Sequence, residues 1–248
     1  MARRGDFETY LNTLLAADRF RDYGPNGLQV EGKPEVRKLV SGVTASLAFI
    51  DAAIAAGADA LLVHHGLFWR GQDGRLTGWL KTRVERLMSA GVNLFAYHLP
   101  LDAHESLGNN AQFGRQLGLT ADARFGEQDL GFIGSAPSLT SDALAETIDA
   151  ALQRRPVVIA GDGRPLRRIA WCTGGAQGYL EAAVAAGADA FLTGEISEPQ
   201  AHIARETGVA FFACGHHATE RYGAPALAAH VAEHFGLDHE FIEIDNPA

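Results

Sequence analysis

The chain has few cysteines, no long apolar run and no excess of positive charge, and each shortage excludes a class of protein. Its 248 residues include only Cys172 and Cys214, each inside an apolar run, so we expect a fold without disulfides in the cytoplasm. Gly, Asp or His interrupts every apolar stretch before it reaches the roughly 20 residues that cross a bilayer. The formal net charge of −9 argues against general nucleic-acid binding, which depends on clustered Lys and Arg.

Several catalytic motifs are also missing. The chain has neither a GxSxG elbow nor a Walker A loop, which excludes the common α/β-hydrolase and P-loop NTPase sites. The run TGGAQG at 173–178 follows a predicted strand, where backbone N–H groups could bind a phosphate. It lacks the GxGxxG spacing of a dinucleotide site, and a tight turn is the preferred interpretation.

The most informative feature is an internal duplication. Residues 52–60 read AAIAAGADA and residues 182–190 read AAVAAGADA. Each block follows a short apolar run behind basic residues, VRKLVSGV or LRRIAWCT, and precedes a second run, LLVHH or FLTGE. A third aligned pair is GVNLFAYHLPLD from Gly91 and GVAFFACGHHATE from Gly208. Three aligned blocks in the same order indicate duplication rather than chance recurrence of Ala-rich helices.

Short apolar strands alternate with helices of about ten to fifteen residues, which predicts an α/β fold with largely parallel, helix-covered sheets. The second half has an extra segment without a clear counterpart in the first, made of an apolar run at 130–136, a helical run at 140–153 and PVVIAG at 156–161. We therefore predict two related but unequal α/β halves, residues 1–125 and 126–248.

Ligands of open α/β sheets bind beyond the carboxyl ends of the strands, and this rule selects the polar residues to examine. Most of the side chains able to bind a metal fall at such ends. They are His64 and His65 after LLV, His98 to Asp102 after NLFAY, Glu195 after FLT, and His216 to Glu220 after FFACG.

Two adjacent imidazoles after a buried strand need partners, because burying them alone is costly. Neighbouring side chains of a strand point to opposite faces, so His64 and His65 share a site only if the chain turns, which Gly66 permits. The alternative is one core histidine and one surface histidine.

Two carboxylates accompany these histidines. His216 and Glu220 are four residues apart at the start of a predicted helix, so both lie on one face, although such pairs also occur on solvated helices. We expect Pro100 to end a strand and Asp102 to lie in the following turn, where it either faces inward or caps a helix near 106–110. Imidazole and carboxylate donors together suit Zn, Mn, Fe or Ni.

Three histidines and two carboxylates suit two metal ions better than one, because a mononuclear catalytic zinc usually has three protein ligands. A carboxylate can bridge two ions about 3.5–4 Å apart, an arrangement that activates water for hydrolysis. Two divalent ions outweigh two carboxylates, so such a site would attract an anionic substrate such as a nucleotide. Phe68 and Trp69 could stack a purine or form the wall of the site, whereas Cys214 is expected to be a buried thiol rather than a ligand.

Five blocks of the sequence resemble the signature blocks of the NGG-interacting-factor-three-like family, also called the dinuclear metal centre or GTP cyclohydrolase 1 type 2 homolog family. The blocks are NGLQVEG at 26–32, HHGLFW at 64–69, HLPLDAHESLGNN at 98–110, TGE at 193–195 and GHHATER at 215–221. The resemblance covers nearly the whole chain. It implies a two-metal site in a cleft between the halves, a ring-shaped homohexamer, and the metal ligands His64, His65, Asp102, His216 and Glu220.

Two functions of different classes follow from these observations. In the first, the chain is a metal-dependent hydrolase of an anionic ring or amide substrate, with His98 or Glu195 transferring protons. Hydrolytic opening of GTP at C8 of the purine is one instance. In the second, it is a non-catalytic metal-binding or scaffold protein, which would need no proton-transfer group.

Overall fold

A computed structural model describes all residues of the chain, 1–248. The strands are β1 (Ala2–Arg3), β2 (Gly27–Val30), β3 (Glu35–Val36), β4 (Lys38–Thr44), β5 (Ala60–His65), β6 (Asn93–Ala96), β7 (Ala123–Phe125), β8 (Gly131–Leu139), β9 (Val157–Ile159), β10 (Leu166–Trp171), β11 (Ala190–Thr193), β12 (Ala210–Ala213) and β13 (Asp238–Phe241). The helices are α1 (Arg4–Leu14), α2 (Leu47–Ala55), α3 (Gly78–Ala90), α4 (Leu99–Ala103), α5 (Asn109–Gln116), α6 (Ser141–Leu152), α7 (Leu180–Ala185), α8 (Glu198–Thr207), α9 (His216–Glu220) and α10 (Gly223–Phe235), with 3₁₀ turns at Ala17–Arg19, Glu127–Asp129 and Gln177–Tyr179.

The chain forms two compact units whose boundaries differ from the predicted division at residues 125 and 126. Helix α10 and strand β13 return to the first unit, because β13 pairs in parallel with β4, for example Asp238 with Lys38. The chain leaves the first unit within α4, so Asp102 belongs to the second unit and not to the first half as expected. The first unit comprises residues 1–101 and 223–245, and the second comprises residues 102–222 and 246–248.

The first unit is built on a five-stranded sheet with the order β13-β4-β5-β6-β2. Strands β13, β4, β5 and β6 run parallel, and β2 lies antiparallel to β6. Phe49 and Leu87 from the helices α2 and α3 join Val40, Leu61 and Val63 from the sheet in one buried core. Burial of these apolar side chains is the main stabilising contribution to the unit.

The repeated Gly-Ala-Asp sequence ends a helix and begins a strand. Gly57 has a φ of 78°, a left-handed conformation that favours glycine, and its N–H donates to Ile54 O at 2.9 Å. Asp59 Oδ2 then accepts the backbone N–H groups of Arg37 and Lys38 at 3.0 and 3.2 Å, which fixes the start of β5 beside β4. Three residues thus set both the end of α2 and the register of the next strand.

The second unit has a six-stranded sheet with the order β7-β8-β10-β11-β12-β9. Its central strands β10, β11 and β12 are parallel, while β7, β8 and β9 pair antiparallel at the two sides. The predicted extra segment is thus β8, α6 and β9. The buried core includes Ile148, Trp171, Leu192 and Phe212.

The second Gly-Ala-Asp sequence repeats the local structure of the first. Gly187 has a φ of 82°, and Asp189 Oδ2 accepts the N–H groups of Arg167 and Arg168 at 2.9 and 3.0 Å. The α/β fold class is therefore confirmed in both units, each with a parallel β-α-β-α-β core.

None of the helices has the length and apolar composition needed to span a bilayer.

Candidate metal centre

The two histidines at the end of β5 lie side by side. Their ring centroids are 4.5 Å apart, His64 is fully buried and His65 is half-buried. The chain leaves the strand at Gly66, where a side chain would collide with Gln29, and Gln29 Oε1 accepts the N–H of Leu67 at 2.8 Å. His64 and His65 therefore lie together at one place, and the alternative of one core histidine and one surface histidine is wrong.

His98 joins this pair within the first unit. Its ring centroid lies 4.9 Å from that of His64 and 5.7 Å from that of His65. One ring nitrogen from each of the three histidines lies within 4.8 Å of the others, close enough to hold one metal ion. Trp69 stands edge-on to His98 with centroids 5.0 Å apart, so it forms a wall of this cluster, whereas Phe68 packs on the core.

Each of these three rings is held at Nδ1 by an oxygen. His64 Nδ1 lies 3.1 Å from Tyr97 O, and His65 Nδ1 lies 3.1 Å from Thr44 Oγ1 on the neighbouring strand. A carbonyl can only accept, so His64 donates from Nδ1 and its Nε2 carries the lone pair. Metal-binding histidines in proteins are oriented in this way.

His98 is held by Asp22, a residue that lies outside the blocks identified in the sequence. The distance from His98 Nδ1 to Asp22 Oδ1 is 2.7 Å. Burial of Asp22 opposes its ionisation, but hydrogen bonds from His98, Asn26 and Leu99 and the charge of His98 outweigh that effect and lower its pKa. The ionised carboxylate of Asp22 therefore accepts a hydrogen bond from His98 Nδ1.

In the second unit, Asp102 is buried inside α4 and faces inward. Its Oδ1 accepts a hydrogen bond from Asn109 Nδ2 at 2.9 Å and lies 3.4 Å from Thr173 Oγ1. Helix α5 begins after Gly108, so Asp102 is not its cap. Pro100 lies within α4, and β6 has already ended at Ala96, which differs from the expected strand end.

His216 and Glu220 lie on one face of α9, as their spacing predicts. His216 Nε2 lies 3.1 Å from Glu220 Oε2, while Nδ1 lies 2.6 Å from Glu195 Oε1. Burial disfavours the imidazolium, but hydrogen bonds and charges from Glu220 and Glu195 raise the pKa of His216 to about 9. In the neutral ring, Nε2 and the carboxylate would place lone pairs face to face, so this pair requires a proton or a metal cation.

The loop at 173–178 is a tight turn that closes over Glu220. Gly174 has a φ of 71°, and a side chain there would collide with the Glu220 carboxylate. The Gly174 N–H donates to Thr219 Oγ1 at 3.0 Å, and its carbonyl accepts the N–H of Gly194 at 2.8 Å. These backbone groups are therefore used within the protein rather than presented to a phosphate.

Two buried thiols lie in the second unit. Burial raises the pKa of Cys172, and the charges of Asp102 and Glu220 add to the effect, so this thiol stays protonated beside the carboxylates. Cys214 is fully buried in the core, and burial raises its pKa as well, in agreement with the expected core thiol.

The donor set fits divalent transition metals. Asp102 and Glu220 are 7% and 2% exposed, and carboxylates so buried need compensating positive charge. Sequence reasoning found these donors from their positions after strands, but it missed Asp22 and the role of Asn109. Asn109 stands in a block that carried the family resemblance, whereas Asp22 lies in a loop without periodicity.

Comparison with known proteins gives a consistent result along the whole chain. The family model described as Duf34/NIF3 (NGG1p interacting factor 3) matches residues 2–247. A "GTP cyclohydrolase 1 type 2 homolog" of Neisseria meningitidis is 52% identical over 249 residues and covers 100% of both chains. Another protein of that name, from Yersinia pestis, is 49% identical over 99% of this chain and 100% of its own.

Solved structures share the fold. The structure described as "protein ybgI, unknown function" has a TM-score of 0.96 and 44% identity and covers 100% of both chains. A crystal structure of a protein from Thermus thermophilus has a TM-score of 0.90 and 35% identity, again over 100% of both chains.

Proposed function

Because the chain belongs to the Duf34/NIF3 family, we propose that it binds two divalent metal ions and hydrolyses an anionic ring or amide substrate. His64 and His65 of the first unit and Asp102, His216 and Glu220 of the second would be the metal ligands. Zn, Mn, Fe and Ni all suit this mixture of imidazole and carboxylate donors.

The observation that carries the proposal is the common orientation of the histidines. His64, His65 and His216 each have Nδ1 within 3.1 Å of an oxygen, which directs Nε2 away as the ligand atom. One such hydrogen bond would also serve a core histidine, so the support comes from three rings held at the same atom together with buried carboxylates. The buried carboxylates Asp102 and Glu220 supply oxygen donors and negative charge.

Hydrolysis is the reaction class that the relatives' name favours. Opening of the GTP ring requires addition of water at C8 of the purine, and an anionic triphosphate suits a site with net positive charge. When bound, divalent ions act as Lewis acids and make water more acidic. His98 and Glu195 are the proposed proton-transfer residues, and Glu195 already shares a short hydrogen bond with His216.

The direct test is a substrate screen with purified, metal-loaded protein. GTP, other nucleotides and simple amides are incubated with the protein, and products are separated by chromatography while metal content is measured in parallel. We expect turnover of an anionic substrate that chelation abolishes. Glu195→Gln should lose that turnover with two ions still bound, whereas His202→Ala, on the exposed face of α8, should behave as wild type. Two bound ions without turnover of any substrate would instead support the metal-binding or scaffold function.

Assembly and location are also part of the proposal. Family resemblance favours a homohexamer, a trimer of dimers, and light scattering of a stable monomer at micromolar concentration would refute it. Cys172 and Cys214 are both free thiols, which suits the reducing cytoplasm.

A further inference from the structure

A cavity of about 680 Å³ lies in the second unit, beside helix α5 and strand β7. Its lining comes from the loop before α5, from α5, from the connection between α5 and β7, and from β7, while Phe132 and Trp171 lie at its apolar side. None of the proposed metal ligands or proton-transfer residues lines it. The volume is that of a binding site for a small organic molecule, so the cavity is a candidate site separate from the metal centre.

Two arginine side chains in this lining have no carboxylate partner. Arg115, near the end of α5, makes one hydrogen bond, to Gln112 Oε1 at 3.5 Å, and Arg124 on β7 donates only to main-chain carbonyl groups. Arg75 and Arg164, in contrast, each form an ion pair with an aspartate two residues away. Arg115 is exposed, where water solvates such a charge, so Arg124 is the more informative residue.

Arg124 is half-buried and is held by groups that carry no full charge. Its guanidinium carbon lies 3.3 Å from the ring centroid of Phe132, and its nitrogens donate to Asp129 O at 3.4 Å and Ala103 O at 3.2 Å. Burial lowers the pKa of Arg124, and the charges of Glu105 and Asp129 offset this only in part. The cation is therefore positioned but not neutralised, and such a preorganised group loses little conformational entropy when it binds an anion.

The carboxylates of the same lining do not cancel the two positive charges. Asp122 forms an ion pair with Arg168, whose Nη1 lies 2.5 Å from Asp122 Oδ2, so the charge of Asp122 is already balanced. Glu105 is the remaining carboxylate of the lining, and it forms no ion pair. The exposed residues Ser106 and Thr120 add hydroxyl groups that can donate hydrogen bonds. An anion in the cavity therefore meets an excess of positive charge and several hydrogen-bond donors.

We propose that this cavity binds a small phosphorylated molecule, with Arg115 and Arg124 holding its phosphate group. The planar guanidinium group presents paired N–H donors that match phosphate oxygens, and two such groups can balance a phosphate dianion. The cavity is larger than a phosphate ion, so the organic part of the ligand has room beside the apolar side chains of Leu119 and Ala111. This binding function goes beyond the proposed metal chemistry and does not depend on it.

Isothermal titration calorimetry of the full-length protein with AMP, glucose 6-phosphate and inorganic phosphate tests the proposal. We expect saturable binding of at least one of the two phosphate monoesters at a single site per chain, tighter than that of inorganic phosphate. Adenosine, which lacks the phosphate group, should not bind. Phosphate groups also coordinate metal ions, so each titration is repeated after chelator treatment. Binding in the cavity should have the same affinity with and without metal.

Variants of the lining distinguish a specific site from general attraction of anions. Arg115→Ala should weaken binding roughly tenfold or more, because a charge-assisted hydrogen bond is lost. Glu105→Gln should strengthen binding roughly two- to fivefold, because a repelling carboxylate is removed. Arg124→Lys keeps the charge but not the planar donor group, so it should also weaken binding. The matched control Arg155→Ala removes an exposed positive charge from the same unit outside the cavity and should bind as wild type.

Three results would overturn the inference at once. They are absence of saturable binding for both phosphate monoesters, equal weakening by Arg115→Ala and Arg155→Ala, and equal binding of adenosine and AMP. Binding that disappears after chelation and is unchanged in Arg115→Ala would show that the metal ions hold the phosphate, which overturns the inference and supports the proposed function. Thermal unfolding of each variant without ligand separates lost binding from a lost fold.

Discussion

The two units share a scaffold but not a set of donors. In the first, Ala60 at the start of β5 pairs with Leu39; in the second, the aligned Ala190 pairs with Ile169. In both units a parallel β-α-β-α-β core follows from the same Gly-Ala-Asp turn. The backbone of the duplicated unit was kept while the residues beyond its strands changed.

The difference lies at the ends of the duplicated strands. His65 and Glu195 occupy equivalent positions beyond the aligned alanines, so an imidazole in one unit stands where a carboxylate stands in the other. The first unit offers three histidines, while the second places His216 among carboxylates. Protons compete with metal ions for histidine near neutral pH, but they do not compete for carboxylates. The proposed metal binding should therefore respond differently to pH in the two units.

The largest expected effect tests whether Glu220 is a ligand of both proposed metal ions. Glu220 has two oxygens and can bind both ions, whereas each imidazole binds one. Metal analysis of dialysed protein should give near two ions per chain for wild type, near one for His64→Ala or His65→Ala, and near zero for Glu220→Ala. Retention of both ions in Glu220→Ala with loss of both in His65→Ala would show that the bridging residue is misassigned.

The next effect tests how tightly the second unit encloses its carboxylate. Gly174→Ala introduces a side chain at a φ of 71° and against Glu220. Strain and collision together should lower the free energy of unfolding of the metal-free protein by about 3 kcal/mol. Denaturant titration measures this, and Gly178→Ala is the control in the same loop, because a side chain there meets nothing within 4 Å. Equal stability of the two variants would contradict the close packing of the turn.

A smaller effect concerns the pH dependence of stability and tests the ion pairs of His216 with the carboxylates of the second unit. The folded-state pKa of His216 is raised from 6.5 to about 9 in the metal-free protein. Protonated His216 therefore contributes its full stabilisation to the free energy of unfolding below pH 6.5, and this stabilisation is lost as the pH rises through about 9. His216→Ala should cost on the order of 2 kcal/mol at pH 6 and much less at pH 10, measured by denaturant titration of the metal-free protein. A cost that does not change with pH would exclude this ion pair.

The smallest effect tests the shared scaffold. Asp59→Ala and Asp189→Ala each remove a carboxylate that accepts two backbone N–H groups, and each should cost about 1–2 kcal/mol. Asp59 also forms an ion pair with Lys33, whose side chain is 53% exposed. Losing this exposed pair should add less than about 1 kcal/mol to the cost of Asp59→Ala. Thermal melts of both variants give the comparison, and a severe effect at only one position would show that the repeats are not equivalent in stability.

Local patterns predicted the parts of the fold that local interactions determine. The Gly-Ala-Asp repeat predicted both β-α-β cores, because a helix end and a strand start are set by adjacent residues. Strand β13 was missed, since its residues are all exposed or half-buried and its sequence lacks an apolar run. It forms by pairing with β4, far away in the chain, which brings residues 223–245 back to the first unit. The predicted boundary at residue 125 is also wrong, because β7 pairs with β8 in the second sheet.

The candidate site shows the same limit. His64, His65, His216 and Glu220 could be selected from their positions after strands, because sheet geometry places such residues at one edge. Asp22 could not, because only the folding of its loop onto the residue after Tyr97 brings it to His98. A residue such as Asp22 reaches the candidate site only through tertiary contacts, and such contacts leave no periodic signal in the sequence.

The edge strand β13 also has a consequence for the order in which the protein is made. During synthesis the three parallel strands of the second unit are complete by Ala213, whereas the first sheet still lacks a strand that begins at Asp238. The edge of β4 in the first unit therefore stays unpaired until β13 has emerged from the ribosome. An open edge is a template for pairing with other chains, so the nascent protein is exposed to aggregation during this interval.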